Sequence, residues 1–413
     1  MGGGRAGRRG TVRHWGRSAL AAAALAGGLT GAGALVPTGA AGPGVSAVAL
    51  STPVTHVFVI VLENESYAST FATTYYQQLA AQGALLEQYY GVGHVSNDNY
   101  AAMVSGQGPN PVNQGDCADY LDFVATGAAN PDGQVPGLGC VYPAGVQTVG
   151  NQLTGAGLSF KDYAQDMGNI PQRDGTTATA NGPACGHPLL DTPDITQVAV
   201  PGDGYATRHN PFVYFHSVID DPAYCDAHVV SLGPTSGGPG LAQDLQSAAT
   251  TPNLSFIVPN LCEDGHDPAV PVPGASSLPP VPGVNECTNE SAPGGLAQTE
   301  SFLHTWVPLI TASPAYTSGG MLVITFDEAS TSDSSSCGCN TGTDINSPEP
   351  GITGPGGGRV GAIVLSPDVA PGTVSAVHYD HYSLLATLED LFGVGRLGLA
   401  HSATPFGPDV FTG

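Results

Sequence analysis

Positive charge is what this 413-residue chain has least of: 10 lysines and arginines stand against 34 aspartates and glutamates. Five of the ten, Arg5, Arg8, Arg9, Arg13 and Arg17, lie at the amino terminus, and every acidic residue lies beyond residue 50. The rest of the chain keeps only Lys161, Arg173, Arg208, Arg359 and Arg396, so 5 cations face 34 anions and the formal charge there is −29. A field of that sign repels nucleic-acid backbones and excludes polynucleotide binding through charge. It argues equally against docking on anionic lipid through a basic patch. Cysteines never recur as Cys-x-x-Cys pairs, which removes support for a zinc ribbon or finger. No internal repeat and no dividing linker is visible. Disorder is excluded too: 41% of residues are apolar, so the 58 glycines and 35 prolines imply long ordered loops.

The arginines of residues 5–17 precede an Ala/Leu/Gly-rich stretch from Ala19 to Val36, then small residues around Ala40 and Ala47. That order is the cationic, apolar and small-residue pattern of a secretory signal. Residues 1–47 are therefore expected to be a signal peptide with a short amino-terminal segment, and 48–413 a single domain. The apolar stretch is barely long enough to span a bilayer, so no stable membrane anchor is expected. Arg8-Arg9 permits twin-arginine export. The expected location is extracellular, and the oligomeric state is open.

Eight cysteines, Cys117, Cys140, Cys185, Cys225, Cys262, Cys287, Cys337 and Cys339, follow this leader. An even number in an exported chain favours disulfides. Proximity suggests Cys117–Cys140, Cys185–Cys225 and Cys262–Cys287. Cys337-Gly-Cys339 is closely spaced for a mutual bridge, yet it is the pair left over.

Two apolar runs end in acidic pairs. Residues 57–62 run into Glu63-Asn64, and residues 321–326 into Asp327-Glu328. Such runs read as strands buried on both faces, and open α/β sheets bind ligands beyond the carboxyl ends of their strands. Oxygen ligands arriving at two neighbouring ends would make a hard-cation site. Further strands are expected at 85–90, 212–216, 254–258 and 360–365. Helices are expected at 67–82, 99–104, 296–310 and 381–392. Residues 106–145, 168–204 and 329–358 read as long loops, and loops of that length in a compact domain are usually functional.

The nucleophile candidate is Ser96, in Gly93-His94-Val95-Ser96-Asn97-Asp98-Asn99-Tyr100, a loop entering a helix whose amino terminus favours an anion. Ser-x-x-Asn-Tyr followed by Ser105-Gly106 resembles the nucleophile turn of the alkaline phosphatase superfamily. With Leu62-Glu63-Asn64 and Phe326-Asp327-Glu328, the chain resembles the secreted phosphoesterases, the acid phosphatases and bacterial phospholipases C. Arg208-His209-Asn210-Pro211-Phe212, Pro259-Asn260-Leu261-Cys262 with Asp264 and His266, and His381-Tyr382-Ser383-Leu384-Leu385 extend the likeness over residues 54–393. Two departures stand out: Asp98 where that family often has proline, and Thr299-Glu300 where relatives often have Gly-Asp.

The resemblance implies a three-layer α/β sandwich with a mostly parallel sheet and a metal-dependent phosphoester hydrolase. Glu63, Asn64, Asp327 and Glu328, with the Ser96 oxygen, are expected to hold one divalent cation: magnesium, calcium or manganese, with zinc an alternative. Ser96 would attack phosphorus, Asn99 would donate to a phosphate oxygen, and His266 and His381 would protonate the leaving group or grip phosphate. His209 is a further substrate-binding candidate. The expected substrates are small-molecule or lipid phosphoesters. The competing readings are a non-catalytic cation-binding surface protein, and a sulfate-ester hydrolase that lacks the Cys/Ser-x-Pro-x-Arg signature.

Overall fold

The computed structural model describes residues 53–266, 295–340, 342 and 344–411. The expected leader and Cys287 lie outside them. Five strands run parallel through the centre of a ten-stranded sheet. His56–Leu62 lies between Leu254–Val258 and Gly320–Phe326, and Phe160–Ala164 and Val229–Ser231 continue the sheet beyond Leu254–Val258. On the other side Ala362–Leu365 runs antiparallel between Gly320–Phe326 and Ala84–Leu86, and Thr373–Ser375 forms that edge. Thr177–Thr179 and Gly182–Ala184 form the opposite edge.

The two acid-tipped strands are neighbours because both are apolar without alternation and need cover on both faces. All of Gly320–Phe326 and the last six residues of His56–Leu62 are buried. Their register places Leu62 opposite Phe326, so both acidic pairs leave the sheet side by side. The backbone N–H of Asp327 donates to the Leu62 carbonyl at 2.8 Å, extending the pairing into the site.

Helices cover the sheet in two groups. Ser96–Ser105, Val149–Gly155 and His381–Phe392 pack on one another. Thr74–Ala80 meets Leu296–Thr311 through Tyr76 Oη and Thr299 Oγ1, 2.6 Å apart, and through the Tyr75 and His304 rings. The result is an α/β sandwich. Among the described residues no helix is long and apolar enough to cross a membrane.

The sequence expectation fails at residues 212–216. Pro211–Tyr214 is a 3₁₀ turn and His216–Ile219 a helical turn. Pro211 opens the turn with its fixed φ, and the aromatic run buries its rings against neighbours such as Phe160 and Tyr142. The expected 67–82 helix breaks into Tyr67–Thr70 and Thr74–Ala80, and the 85–90 strand into Ala84–Leu86 and Tyr89–Tyr90. Cys117–Cys140, Cys185–Cys225 and Cys337–Cys339 are disulfides. Cys262 is also bridged.

Candidate active site

Both acidic pairs converge with the Ser96 turn at the carboxyl edge of the sheet. The Asn64 backbone N–H donates to Asp327 Oδ1 at 3.0 Å, and Asn64 Nδ2 donates to Glu328 Oε1 at 2.7 Å. Asn64 takes a left-handed φ of 53°, which asparagine tolerates better than most residues. Glu63 is wholly buried: its Oε2 accepts from Ser96 Oγ at 2.7 Å and its Oε1 from Tyr100 Oη at 2.6 Å. Glu328 Oε2 accepts from the Val95 N–H at 3.2 Å and lies against His94 Nδ1. Donors of the chain itself thus occupy both Glu328 oxygens.

Ser96 opens a helix that has no side-chain cap, and Val95 before it sits at φ 71°. A β-branched residue in that region is strained and persists only where the surroundings over-determine it. Asn99 supplies that constraint. Its Oδ1 accepts from the N–H groups of Val92 and Gly93 at 2.8 and 3.2 Å. Its Nδ2 donates to the carbonyls of Gly93 and Val95 at 3.0 and 3.1 Å. The Asn99 amide thus makes four hydrogen bonds inside the turn. Gly93 is required as well, because a Cβ there would lie 2.5 Å from Asp98 Oδ2.

Burial, then the charges of Asp327 and Asp264, raises the Glu63 carboxyl well above its ordinary range. Burial, then Glu328, does the same to Asp327. Taking this much like charge out of water is costly unless something positive compensates it. Asn64 Oδ1 and Asp327 Oδ2 are buried oxygens that make no hydrogen bond among the described residues. With Glu63 and Ser96 Oγ they offer oxygen donors of the kind that hard divalent cations take. The residues fit such a cation, and Glu328 Oε1 holds the Asn64 amide that turns Oδ1 toward it.

The histidines separate by position. His209 is buried, with Nε2 3.3 Å from Glu63 Oε2 and Nδ1 3.7 Å from Asp264 Oδ2, and its ring stacks on Tyr100 at 5.5 Å. Burial, then Arg208 and His266, pushes its pKa well down, which keeps it neutral. His266 is exposed, and its backbone N–H donates to Asp264 Oδ1 at 3.0 Å, two residues from the acid that faces His209. His381 lies apart from them. It is fully buried, with Nε2 against the Asp327 carbonyl and Nδ1 3.1 Å from Tyr89 Oη. Burial lowers its pKa to about 4. Both nitrogens have partners, and the ring braces the Asp327 backbone. Tyr100 and His94 carry contacts that the sequence reading left unassigned, although both lie inside the 93–100 segment.

The model of the Phosphoesterase family matches residues 69–395. The chain belongs to this family. Hydrolysis of phosphoric esters is accordingly its enzymatic class. The chain is 23% identical to a phosphatidylinositol-3-phosphatase of Mycobacterium tuberculosis over 365 residues, covering 88% of this chain and 84% of that protein. It is 23% identical to the phosphate-repressible acid phosphatase of Penicillium chrysogenum, over 82% of this chain but only 59% of the fungal protein. Among solved structures, an alkaline phosphatase superfamily protein from Vibrio parahaemolyticus aligns with a TM-score of 0.44 at 11% identity, over 86% of this chain and 72% of that one.

Proposed function

We propose that this chain is an exported, cation-dependent phosphomonoesterase in which Ser96 is the nucleophile. The observation that carries this reading is the hydrogen bond from Ser96 Oγ to Glu63 Oε2 at 2.7 Å, at an uncapped helix amino terminus beside orphaned buried oxygens. Glu63, Asn64, Asp327 and Ser96 would hold a divalent cation. When bound, it supplies the positive charge that makes a serine hydroxyl acidic and offsets the phosphate's charge.

The chain's own groups account for the rest. Glu63 Oε2 accepts the Ser96 proton as Oγ bonds to phosphorus and the ester oxygen departs. His266, exposed beside Asp264, protonates the departing alkoxide. Water then cleaves the phosphoserine, returning the serine and releasing phosphate. Tyr100 holds Glu63 in position, Asn99 fixes the strained turn, and His381 fixes the Asp327 backbone. The curated relatives named as acid phosphatases and as a phosphatidylinositol-3-phosphatase favour monoesters. Rates with p-nitrophenyl phosphate, its bis ester and p-nitrophenyl phosphocholine test this directly. The monoester should be cleaved fastest, and exclusive cleavage of either diester refutes the assignment.

A further inference from the structure

Away from Ser96 a cavity of about 470 Å³ opens behind the nucleophile turn. Its lining includes Gly91, Val92, Asp344, Asp380 and Tyr382 together with Cys337 of the Cys337–Cys339 disulfide. This bridge differs from Cys117–Cys140 and Cys185–Cys225 in three ways. It spans a sequence separation of 2, against 23 for Cys117–Cys140 and 40 for Cys185–Cys225, so it restricts the unfolded chain least. Cys339 is partly exposed, whereas Cys117, Cys140, Cys185 and Cys225 are all buried. Finally, the Cys337 and Cys339 sulfurs lie 3.1 and 3.8 Å from Asp380 Oδ2.

That last contact favours the reduced form. Asp380 is 4% exposed, and its Oδ1 accepts from Ser383 as the cap of the helix beginning at His381. Oδ2 faces two sulfurs that carry no hydrogen while they are bridged. Once reduced, either thiol donates S–H to this carboxylate, and a hydrogen bond to an ionised acceptor is among the stronger kinds. The Cys339 backbone N–H points at Cys337 Sγ at 3.0 Å, ready to stabilise charge on that sulfur.

We propose that Cys337–Cys339 is a thiol-exchange site for small dithiols, opened by reductant while the buried bridges stay closed. An incoming thiolate bonds to Cys339 Sγ, the more accessible sulfur, and the Cys337–Cys339 bond breaks. Its electron pair goes to Cys337 Sγ, which meets the Cys339 N–H and takes a proton from water. The second thiol of the reagent then attacks its own sulfur in the mixed disulfide. The cyclic disulfide leaves, and Cys339 is released as a thiol. Two protein sulfurs are reduced and two reagent sulfurs oxidised.

The test is a dithiothreitol titration of the folded protein, trapped with iodoacetamide and read peptide by peptide in a mass spectrometer. Cys337 and Cys339 should alkylate at about tenfold less reductant than Cys117, Cys140, Cys185 and Cys225. Asp380→Asn keeps an oxygen to cap the helix but removes the ionised acceptor, and should raise the reductant needed several-fold. Opening of Cys117–Cys140 or Cys185–Cys225 at the same or lower concentration would overturn the proposal. So would an Asp380→Asn titration identical to the parent's.

Discussion

Ser96 Oγ donates to Glu63 Oε2 at 2.7 Å, joining two residues 33 apart in sequence. One opens the helix Ser96–Ser105, and the other ends the strand His56–Leu62. The contact depends on three supports. The Tyr100 hydroxyl fixes the far oxygen of Glu63, the Asn99 amide holds the strained turn at Val95, and parallel pairing with Gly320–Phe326 sets the strand end beside Asp327.

Cation binding should oppose protons at this site. Glu63 and Asp327 have raised pKa values in the folded chain, so their contribution to metal-free stability is complete below the ordinary carboxylate range. It is lost as pH climbs through the raised values. A divalent cation competes with those protons, so its stabilisation must grow over the same range. After chelator treatment, the rise in thermal midpoint on adding Mg²⁺, Ca²⁺ or Mn²⁺ should be several degrees at pH 8 and much smaller at pH 5. Equal shifts at both pH values would separate the cation from these carboxyls.

Tyr100→Phe removes the donor to Glu63 Oε1 while leaving the ring that stacks on His209. The stability cost should be about 1 kcal/mol, the usual net value of one hydrogen bond. Turnover should fall about tenfold or more, with KM nearly unchanged, because the tyrosine orients the base and does not touch substrate. A variant with full turnover would deny Glu63 the role of proton acceptor.

Asp98 stands where the resembled family often has proline. It is fully buried with neither oxygen hydrogen-bonded among the described residues, and burial followed by the Glu328 charge raises its pKa well above the ordinary value. The raised pKa means its protonated form sustains the fold at low pH and that support is withdrawn as pH rises. Asp98→Asn has nothing to ionise. In chelator, the variant's unfolding free energy should therefore exceed the parent's at pH 8, by about 1.4 kcal/mol for each unit of pKa shift removed, and the difference should shrink towards pH 4. Urea denaturation at both pH values measures it. A difference that is constant with pH would show that Asp98 is ionised in the fold.

The meeting of the two acidic pairs was legible because a buried parallel strand announces itself by an unbroken apolar run, and an acid at its end has nowhere to go but the crevice. Phe160–Ala164 was not legible, since Lys161 and Asp162 interrupt its run although it lies deep in the sheet. There Lys161 reaches Asp244 at 2.7 Å, and Asp162 is wholly buried. The hydrogen bonding of Asn99 and His381 was hidden for another reason. Sequence shows that an amide or an imidazole is present near the site, but only the packing shows that its polar atoms are already used.

The central claim is that Ser96 becomes phosphorylated during turnover, and an acid-quenched reaction tests it most directly. Wild-type protein mixed with a ³²P-labelled phosphomonoester and quenched within its first turnovers should carry label on the peptide containing Ser96. Ser96→Ala should carry none and lose about three orders of magnitude or more in turnover, the scale of losing a covalent nucleophile. Its thermal midpoint should move by only a few degrees, as expected when one hydrogen bond is lost. Label on any other residue, or a Ser96→Ala protein that hydrolyses the ester at the parent's rate, would contradict the account.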